Sequence, residues 1–421
     1  MPDLTCTLSV DDHKVWLEFD DAIYSAAVRD DPLVELLVKR LDRFVTHHAP
    51  GHTGYEVTDL KLLGAALFNI LFGQTASLMP GKKGAAPKPQ SVGVSLGEVL
   101  RDRLAKHQSA GGVFRIALEF NGKAEALGSF PWEFLYIGEP HRTGYFLSQK
   151  ATLYRVVKPG GQPHFSPNLK AVVAWAVPPT LDHLTSTDKA VEKIRRAFQV
   201  TAGCQVEQWP KVTWEFFENK FNNAGPGSID ILHIIAHGRR DGPDVQLAFH
   251  LPEEKRLAEE TELQKTNPHA VVQRPEWIMV SDLANLLNKR PPGLVFLHAC
   301  SVGRVNPGVD AFRGAAELIA GAGVPVVIAM QYEIDNTDAD VFTAEFYNII
   351  ATPGTTIDEG VRQGRLRLAE TRPTWGHRRF ATPIIFLSDP TAQVVSAPAA
   401  APSLAPDGAG GSGDFAPCPF T

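Results

Sequence analysis

Between Leu169 and Leu387, continuous apolar runs alternate with amphipathic stretches of helical period. A strand with apolar side chains at every position is buried on both faces, which is typical of a parallel sheet with helices on either side. We therefore expect an α/β fold with a doubly wound, mostly parallel sheet flanked by helices. The runs predict strands at residues 170–177, 229–235, 294–298, 325–330 and 383–387.

The chain of 421 residues exceeds what one ordinary core organises, so more than one unit is expected. Residues 1–160 mix strand-like and helical patterns, and we interpret them as an N-terminal α+β subdomain. Residues 161–392 would form the main domain. Residues 393–421 are rich in Ala, Pro and Gly and are expected to be a disordered tail. Residues 76–93 are predicted to be an exposed loop, and residues 251–276 a surface insertion.

Charge and composition exclude several classes of partner. The net charge is −6 without a long run of Lys or Arg, so neither nucleic acid nor a membrane surface is an expected partner. No apolar stretch approaches the roughly 20 residues that span a bilayer, and the first residues do not resemble a signal peptide. Four scattered cysteines without CxxC spacing suit a reducing compartment, so we expect a cytoplasmic protein.

Two of the predicted strands are followed by residues able to do chemistry. His237-Gly238 comes after the second run and Cys300 after the third. The carboxyl ends of parallel strands form the ligand-binding edge of such sheets. An imidazole and a thiol there can act as general base and nucleophile. The backbone N–H groups of Gly238 and Cys300 could face a developing oxyanion.

Two other interpretations compete with catalysis. A lone cysteine after an apolar strand is usually a core residue, because cysteine is among the most buried residue types. Alternatively, a metal site could draw on His233, His237, His298 and Cys300. On a strand, however, His233 and His237 lie roughly 13 Å apart at about 3.3 Å per residue. We therefore expect no metal, and we interpret His233 and His298 as core or supporting side chains.

Several ordered segments resemble the CHAT domain of the caspase-like (clan CD) cysteine peptidases. They are IDILHIIAHG at 229–238, LVFLHACSVG at 294–303, GAAELIAGAGVPVVIAMQYEI at 314–334 and AEFYNII at 344–350. PWEFL at 131–135 resembles the PWE-L element of that family, and Tyr154-Arg155 matches a following strand. We interpret Trp132 and Glu133 of this element as packing and anchoring residues.

This resemblance implies a caspase-like sheet with a His237–Cys300 dyad and Gly238 in the oxyanion region. The implied reaction is peptide-bond hydrolysis through an acyl-thioester, without a cofactor. Relatives often prefer one basic side chain at P1, the substrate residue before the scissile bond. Three candidate substrate-binding residues follow the fourth strand, namely Gln331, Glu333 and Asp335.

The family pattern is not matched everywhere. His298 replaces the serine or asparagine often found two residues before the cysteine, and Gln331-Tyr332 replaces a common tryptophan. Asp338 and Asp340 are further candidates for an acidic S1 pocket, the pocket for the P1 side chain. Both residues are explained equally well as helix N-terminal carboxylates, which the helix dipole favours.

The resemblance also implies partners. A protein substrate is expected, such as a gasdermin-like or other effector, and bacterial relatives suggest a role in antiviral defence or regulated cell death. Because no sensor repeat is recognisable, a separate regulatory protein is expected. Two alternatives to a peptidase stay open: a catalytically idle CHAT-like binding or scaffold module, and a thiol acyltransferase.

Overall fold

The computed structural model describes most of the chain. The described residues are 3–11, 13–29, 31–38, 57–79, 90–138, 143–158, 161–178, 181, 187–198, 204–225, 227–241, 244–301, 310–332, 334, 336–371 and 379–397. Of the predicted site residues, Glu333 and Asp335 lie outside these ranges, and Cys300 is described by its backbone.

Fifteen strands of the described chain form one sheet, and two short strands pair separately. The strands are β1 (Leu4–Val10), β2 (Lys14–Glu18), β3 (Ile23–Ala27), β4 (Thr75–Met79), β5 (Gln90–Ser95), β6 (Phe114–Phe120), β7 (Tyr136–Ile137), β8 (Tyr145–Phe146), β9 (Thr152–Val156), β10 (Lys170–Ala176), β11 (Gln205–Trp209), β12 (Ile231–Asp241), β13 (Asp244–Phe249), β14 (Glu276–Met279), β15 (Leu294–Ser301), β16 (Val326–Met330) and β17 (Pro383–Leu387).

The helices lie mainly on the two faces of this sheet. They are α1 (residues 32–38), α2 (Val57–Phe72), α3 (Leu96–Ser109), α4 (Glu125–Gly128), α5 (Leu147–Lys150), α6 (Thr187–Ala197), α7 (Trp214–Asn223), α8 (Glu253–Gln264), α9 (Val280–Asn288), α10 (Asp310–Gly321), α11 (Asn336–Ile350) and α12 (Ile357–Thr371). Single 3₁₀ turns occur at Gly122–Ala124, Trp132–Phe134 and Arg379–Ala381.

The parallel part of the large sheet consists of two blocks that run in opposite directions. The order of the whole sheet is β11-β10-β12-β15-β16-β17-β9-β6-β1-β2-β3-β4-β5, with β13 and β14 added beside β12. Strands β11, β10, β12, β15 and β16 are parallel to one another. Strand β17 is antiparallel to β16 but parallel to β9, β6 and β1. Strands β2 to β5 then continue as an antiparallel meander.

The apolar runs are explained by two cores, one on each face of the sheet. Alternate residues of β12 belong to different cores: Ile231 packs with side chains of α6, α11 and α12, whereas Leu232 packs with side chains of α7, α9 and α10. Since successive strand side chains point to opposite faces, a strand covered on both sides is apolar throughout. The mostly parallel, helix-flanked sheet predicted from the sequence is confirmed.

Some sequence predictions differ from the structure. The predicted loop at 76–93 is wrong at both ends, because β4 continues to Met79 and β5 starts at Gln90. The insertion at 251–276 contains α8 and the start of β14. The subdomain boundary at residue 160 stays a prediction, although pairing of β9 with β17 makes the sheet continuous across it.

The predicted tail begins inside the described part of the chain. Gln393 bridges to Thr356, and Val394 is buried. These contacts attach residues 393–395 to the α11–α12 connection. Residues 398–421, on which the rest of the disorder prediction falls, lie outside the described residues.

A buried ion cluster joins the N-terminal strands to the main part of the sheet. The Glu133 carboxylate, with no exposed surface, pairs with Arg155 of β9 and lies 3.7 Å from Nη2 of Arg365 in α12. Arg365 donates to the carbonyl of Pro383 at 2.7 Å. Burial lowers the pKa of Arg365 to about 10, whereas the neighbouring Glu133 acts to raise it. The interpretation of Glu133 as an anchoring residue agrees with these contacts.

Substituting Glu133→Gln should destabilise the fold strongly. The change would leave two buried guanidinium groups without their carboxylate, so we expect the free energy of unfolding to fall by about 3–5 kcal/mol. The free energy of unfolding is measured by urea denaturation, monitored by circular dichroism. The control is Glu119→Gln, because Glu119 pairs with Lys158, whose side chain is 65% exposed. That variant should lose less than about 1 kcal/mol. Equal losses in the two variants would contradict the anchoring role.

Candidate active site

The two predicted dyad residues occupy partner positions in neighbouring strands. In the parallel pairing of β12 with β15, His237 is the register partner of Cys300, and Gly238 is the partner of Ser301. Adjacent strands are about 4.8 Å apart, so the two backbone positions lie side by side. Both residues lie within their strands rather than beyond the strand ends, because β12 continues to Asp241 and β15 to Ser301.

The side chain of His237 is largely closed off from solvent. His237 is 1% exposed. Gly238 is also the register partner of Leu247 in β13, so strands flank it on both sides. A substrate that reaches His237 therefore requires a local opening on the side from which it enters.

His233 belongs to the core beneath the pair. Its ring stacks on Phe296 with centroids 4.3 Å apart, and its Nδ1 lies 3.2 Å from the hydroxyl of Tyr347. Burial lowers its pKa well below the usual range, and nearby His298 adds to this shift. These contacts fit the core role that the sequence suggested. In the described part of the chain, no group of three or more His, Cys, Asp or Glu residues is arranged to hold a metal ion.

His298 is a second buried imidazole, two residues before Cys300 on β15. It is 5% exposed, and its ring centroid lies 6.0 Å from that of His233. Burial lowers the pKa of His298 to about 4, with a smaller opposing effect from Asp340. The ring is therefore neutral at physiological pH, so the site contains an uncharged imidazole next to the predicted nucleophile.

Of the three predicted substrate-binding residues after β16, Gln331 lies in the described part of the chain, and its side chain is buried. Gln331 is 4% exposed, and its Nε2 donates to Glu133 Oε2 at 3.0 Å and to the carbonyl of Ala381. Its amide nitrogen therefore faces the buried ion cluster. A contact between Gln331 and substrate stays a prediction.

The two acids of α11 already have cationic partners in the same chain. Asp338 pairs with Arg379, and Asp340 lies 2.8 Å from Nζ of Lys193. A carboxylate paired in this way is a poor ligand for a further cation. An acidic pocket at this place would depend on Glu333 and Asp335, which lie outside the described residues.

Two other cysteines are unsuited to nucleophilic chemistry. Burial raises the pKa of Cys6 well above its ordinary value and that of Cys204 to about 11. Both are free thiols in the structure. Since the thiolate is the reactive form, neither is activated at neutral pH. Cys418 lies outside the described residues.

Sequence reasoning missed the small antiparallel extension beside the dyad. Strands β13 and β14 pair with the continuation of β12 beyond His237. They place Arg239 against Trp277, with Cζ 4.1 Å from the ring centroid. Two signals in the sequence could have indicated this extension: the turn dipeptide Asp241-Gly242, and the apolar residues Val245, Leu247 and Phe249 that follow it.

Acidification should weaken the fold through His298. Its pKa is about 4 in the folded protein and 6.5 as an ordinary value. Between these values the unfolded chain binds a proton that the folded chain does not, so stability falls as the pH falls from 7 to 4. For one group of this kind, the free energy of unfolding falls by about 3 kcal/mol over this pH range.

The substitution His298→Asn removes this titration, so the free energy of unfolding should depend less steeply on pH. Urea denaturation at pH 4.5, 5.5 and 7 measures the slope. The control is His13→Asn, which removes an exposed imidazole instead of a buried one. An unchanged slope in His298→Asn would contradict the assignment.

The model of the CHAT domain matches residues 90–388. Comparison with curated proteins finds no match. In the described residues, no helix has both the length and the hydropathy needed to cross a membrane.

The solved structures that this chain resembles include a separase–securin complex, an initiator caspase and a cysteine proteinase. The Saccharomyces cerevisiae separase–securin complex has 14% identity and a TM-score of 0.36, covering 86% of this chain and 22% of that chain. The Drosophila initiator caspase Dronc has 9% identity and a TM-score of 0.32, covering 55% and 84%. The Arg-specific cysteine proteinase gingipain R has 12% identity and a TM-score of 0.42, covering 72% and 69%.

This chain thus spans about a fifth of the separase chain that it resembles. The family resemblance found in the sequence is confirmed by the match at residues 90–388. Because that match extends over more than half of its length, the chain belongs to the CHAT domain family.

Proposed function

We propose that this protein is a cysteine endopeptidase whose nucleophile is Cys300 and whose general base is His237. The observation that carries the proposal is the register pairing of these two residues in β12 and β15. The two adjacent parallel strands hold the backbones of His237 and Cys300 side by side without any contribution from loops. The high pKa values of Cys6 and Cys204 support the choice of Cys300.

The proposed reaction has two steps. His237 takes the proton of the Cys300 thiol, and the sulfur attacks the carbonyl carbon of the scissile peptide bond. The backbone N–H groups of Gly238 and Cys300 would stabilise the negative oxygen of the tetrahedral intermediate. Its collapse breaks the C–N bond while His237 returns the proton to the leaving amine. Water then attacks the acyl-thioester, releasing the new carboxyl terminus and the free thiol.

The substrate class is a polypeptide, and the proposed cellular substrate is an effector protein such as a gasdermin in a defence or cell-death response. A separate regulatory protein would control access. The burial of His237 supports such control, because an imidazole with 1% exposed surface must be uncovered before it meets a substrate. The same burial is the observation that favours the alternative, an idle CHAT-like module that binds a partner without cleaving it.

Peptide cleavage should depend on both dyad residues. Against a library of quenched fluorescent peptides varied at P1, we expect Cys300→Ala and His237→Ala each to lower kcat/KM by at least about 10³-fold, because either change removes the activated nucleophile. The matched control is Cys204→Ala, which removes a half-buried thiol away from the dyad and should keep wild-type activity. Cleavage that persists in Cys300→Ala would overturn the choice of nucleophile.

A second measurement separates a peptidase from an idle module. Peptidyl acyloxymethyl ketones of the same P1 series should alkylate wild type at Cys300, located by mass spectrometry, and the rate should drop in His237→Ala. If wild type cleaves no peptide and its Cys300 reacts no faster than the Cys300 of His237→Ala, the peptidase proposal fails. The scaffold alternative then stands.

A further inference from the structure

A three-stranded extension, formed by the end of β12 with β13 and β14, lies directly beside the predicted dyad. In this extension, Gln246 of β13 is the register partner of Arg239 on one side and of Met279 on the other. Trp277 precedes Met279 by two residues on β14 and therefore shares its face. Arg239 follows His237 by two residues on β12, so it lies about 6.6 Å along the same strand.

The guanidinium group of Arg239 is held in place by two contacts. Its Nε donates to Oε1 of Gln246 at 2.8 Å. Its Cζ lies 4.1 Å from the centroid of the Trp277 ring. Gln246 is itself buried, with 7% of its surface exposed, and its Nε2 lies 3.5 Å from Sδ of Met279. A cation that stacks on an aromatic ring and is fixed at one nitrogen has lost most of its rotamer freedom.

These contacts leave the two terminal nitrogens of Arg239 without an acceptor within the described chain. The buried arginines elsewhere differ: Arg115 pairs with Asp358, and Arg155 pairs with Glu133. Arg239 has no ion pair with any described acidic residue and is partly exposed to solvent. Two parallel N–H donors at the end of a fixed fork match the two oxygens of a carboxylate.

We propose that Arg239, held by Trp277 and Gln246, is a subsite for an acidic side chain of the substrate polypeptide. The proposal rests on the peptidase function proposed above. The distance of about 6.6 Å between Arg239 and His237 equals two residues of an extended peptide. The recognised Glu or Asp would therefore lie within two residues of the scissile bond, on the side of the cleft formed by β13. Because the fork is preorganised, the carboxylate binds without ordering a flexible side chain.

The experiment compares matched peptides that carry Glu or Gln at each of the two positions on either side of the scissile bond. At one position, wild type should cleave the Glu peptide with a kcat/KM about tenfold higher than the Gln peptide, mainly through a lower KM. In Arg239→Gln the ratio should fall to about one, and in Arg239→Glu a Lys peptide should become the preferred substrate. Circular dichroism establishes that each variant is folded.

The control variant is Arg274→Gln, which removes an exposed arginine that pairs with Glu259 on the neighbouring insertion. It should keep the wild-type preference. Equal cleavage of the Glu and Gln peptides by wild type at all four positions would overturn the subsite. A preference that survives in Arg239→Gln would overturn it as well, and would leave Arg239 as a residue that only stabilises the extension.

Binding separates this proposal from the peptidase proposal. Fluorescence anisotropy of the labelled Glu and Gln peptides is measured on Cys300→Ala and on the double variant Cys300→Ala, Arg239→Gln. The subsite predicts a preference for the Glu peptide in the first protein and none in the second, whether or not the wild type cleaves. Equal affinities of the two peptides for Cys300→Ala would overturn it even if Cys300-dependent cleavage is found.

Discussion

The carboxylate of Glu133 lies fully buried between guanidinium groups from two different elements, at the place where the sheet reverses its direction. Arg155 comes from β9 and Arg365 from α12, and Arg365 also binds the first carbonyl of β17, that of Pro383. A buried carboxylate is tolerated only when its charge and its lone pairs are satisfied. The 3₁₀ turn at Trp132–Phe134, β9, α12 and β17 must therefore assemble together.

Gln331 connects the buried ion cluster around Glu133 to the strands of the candidate site. Its amide nitrogen donates to the carboxylate of Glu133, and Gln331 directly follows Met330, the last residue of β16. Strand β16 pairs with β15, which carries Cys300. The cluster thus contacts the residue that follows β16, and β16 borders the strand that carries Cys300. Buried ion pairs contribute little net stability compared with apolar packing, so its role here is to specify one arrangement of the strands.

The sequence predicted the strands that are buried on both faces, but not the contacts between residues far apart in the chain. The apolar run at 383–387 predicted β17 correctly, because burial on both faces requires apolar residues at every position. The short strands β13 and β14 were not predicted, although β13 is largely apolar and buried, because a run of four to six residues does not by itself distinguish a strand from another buried segment. The partner of Gln331 is 198 residues away, and periodicity carries no information about contacts of that range. The same holds for the register that aligns His237 with Cys300, since sequence spacing does not specify pairing between strands.

The distribution of charge around His237 and Cys300 changes how specificity should be understood. Acids after β16 suggested a pocket for a basic side chain, but Asp338 and Asp340 are neutralised by Arg379 and Lys193. On the opposite side of β12, Arg239 keeps two donors that no described acid uses. A site can discriminate only with groups whose own partners do not already satisfy them, because a satisfied charge gains little from a ligand. Among the described residues, the charge beside the predicted dyad that no described acid neutralises is positive, which supports the proposal that this side of the site binds acidic rather than basic side chains.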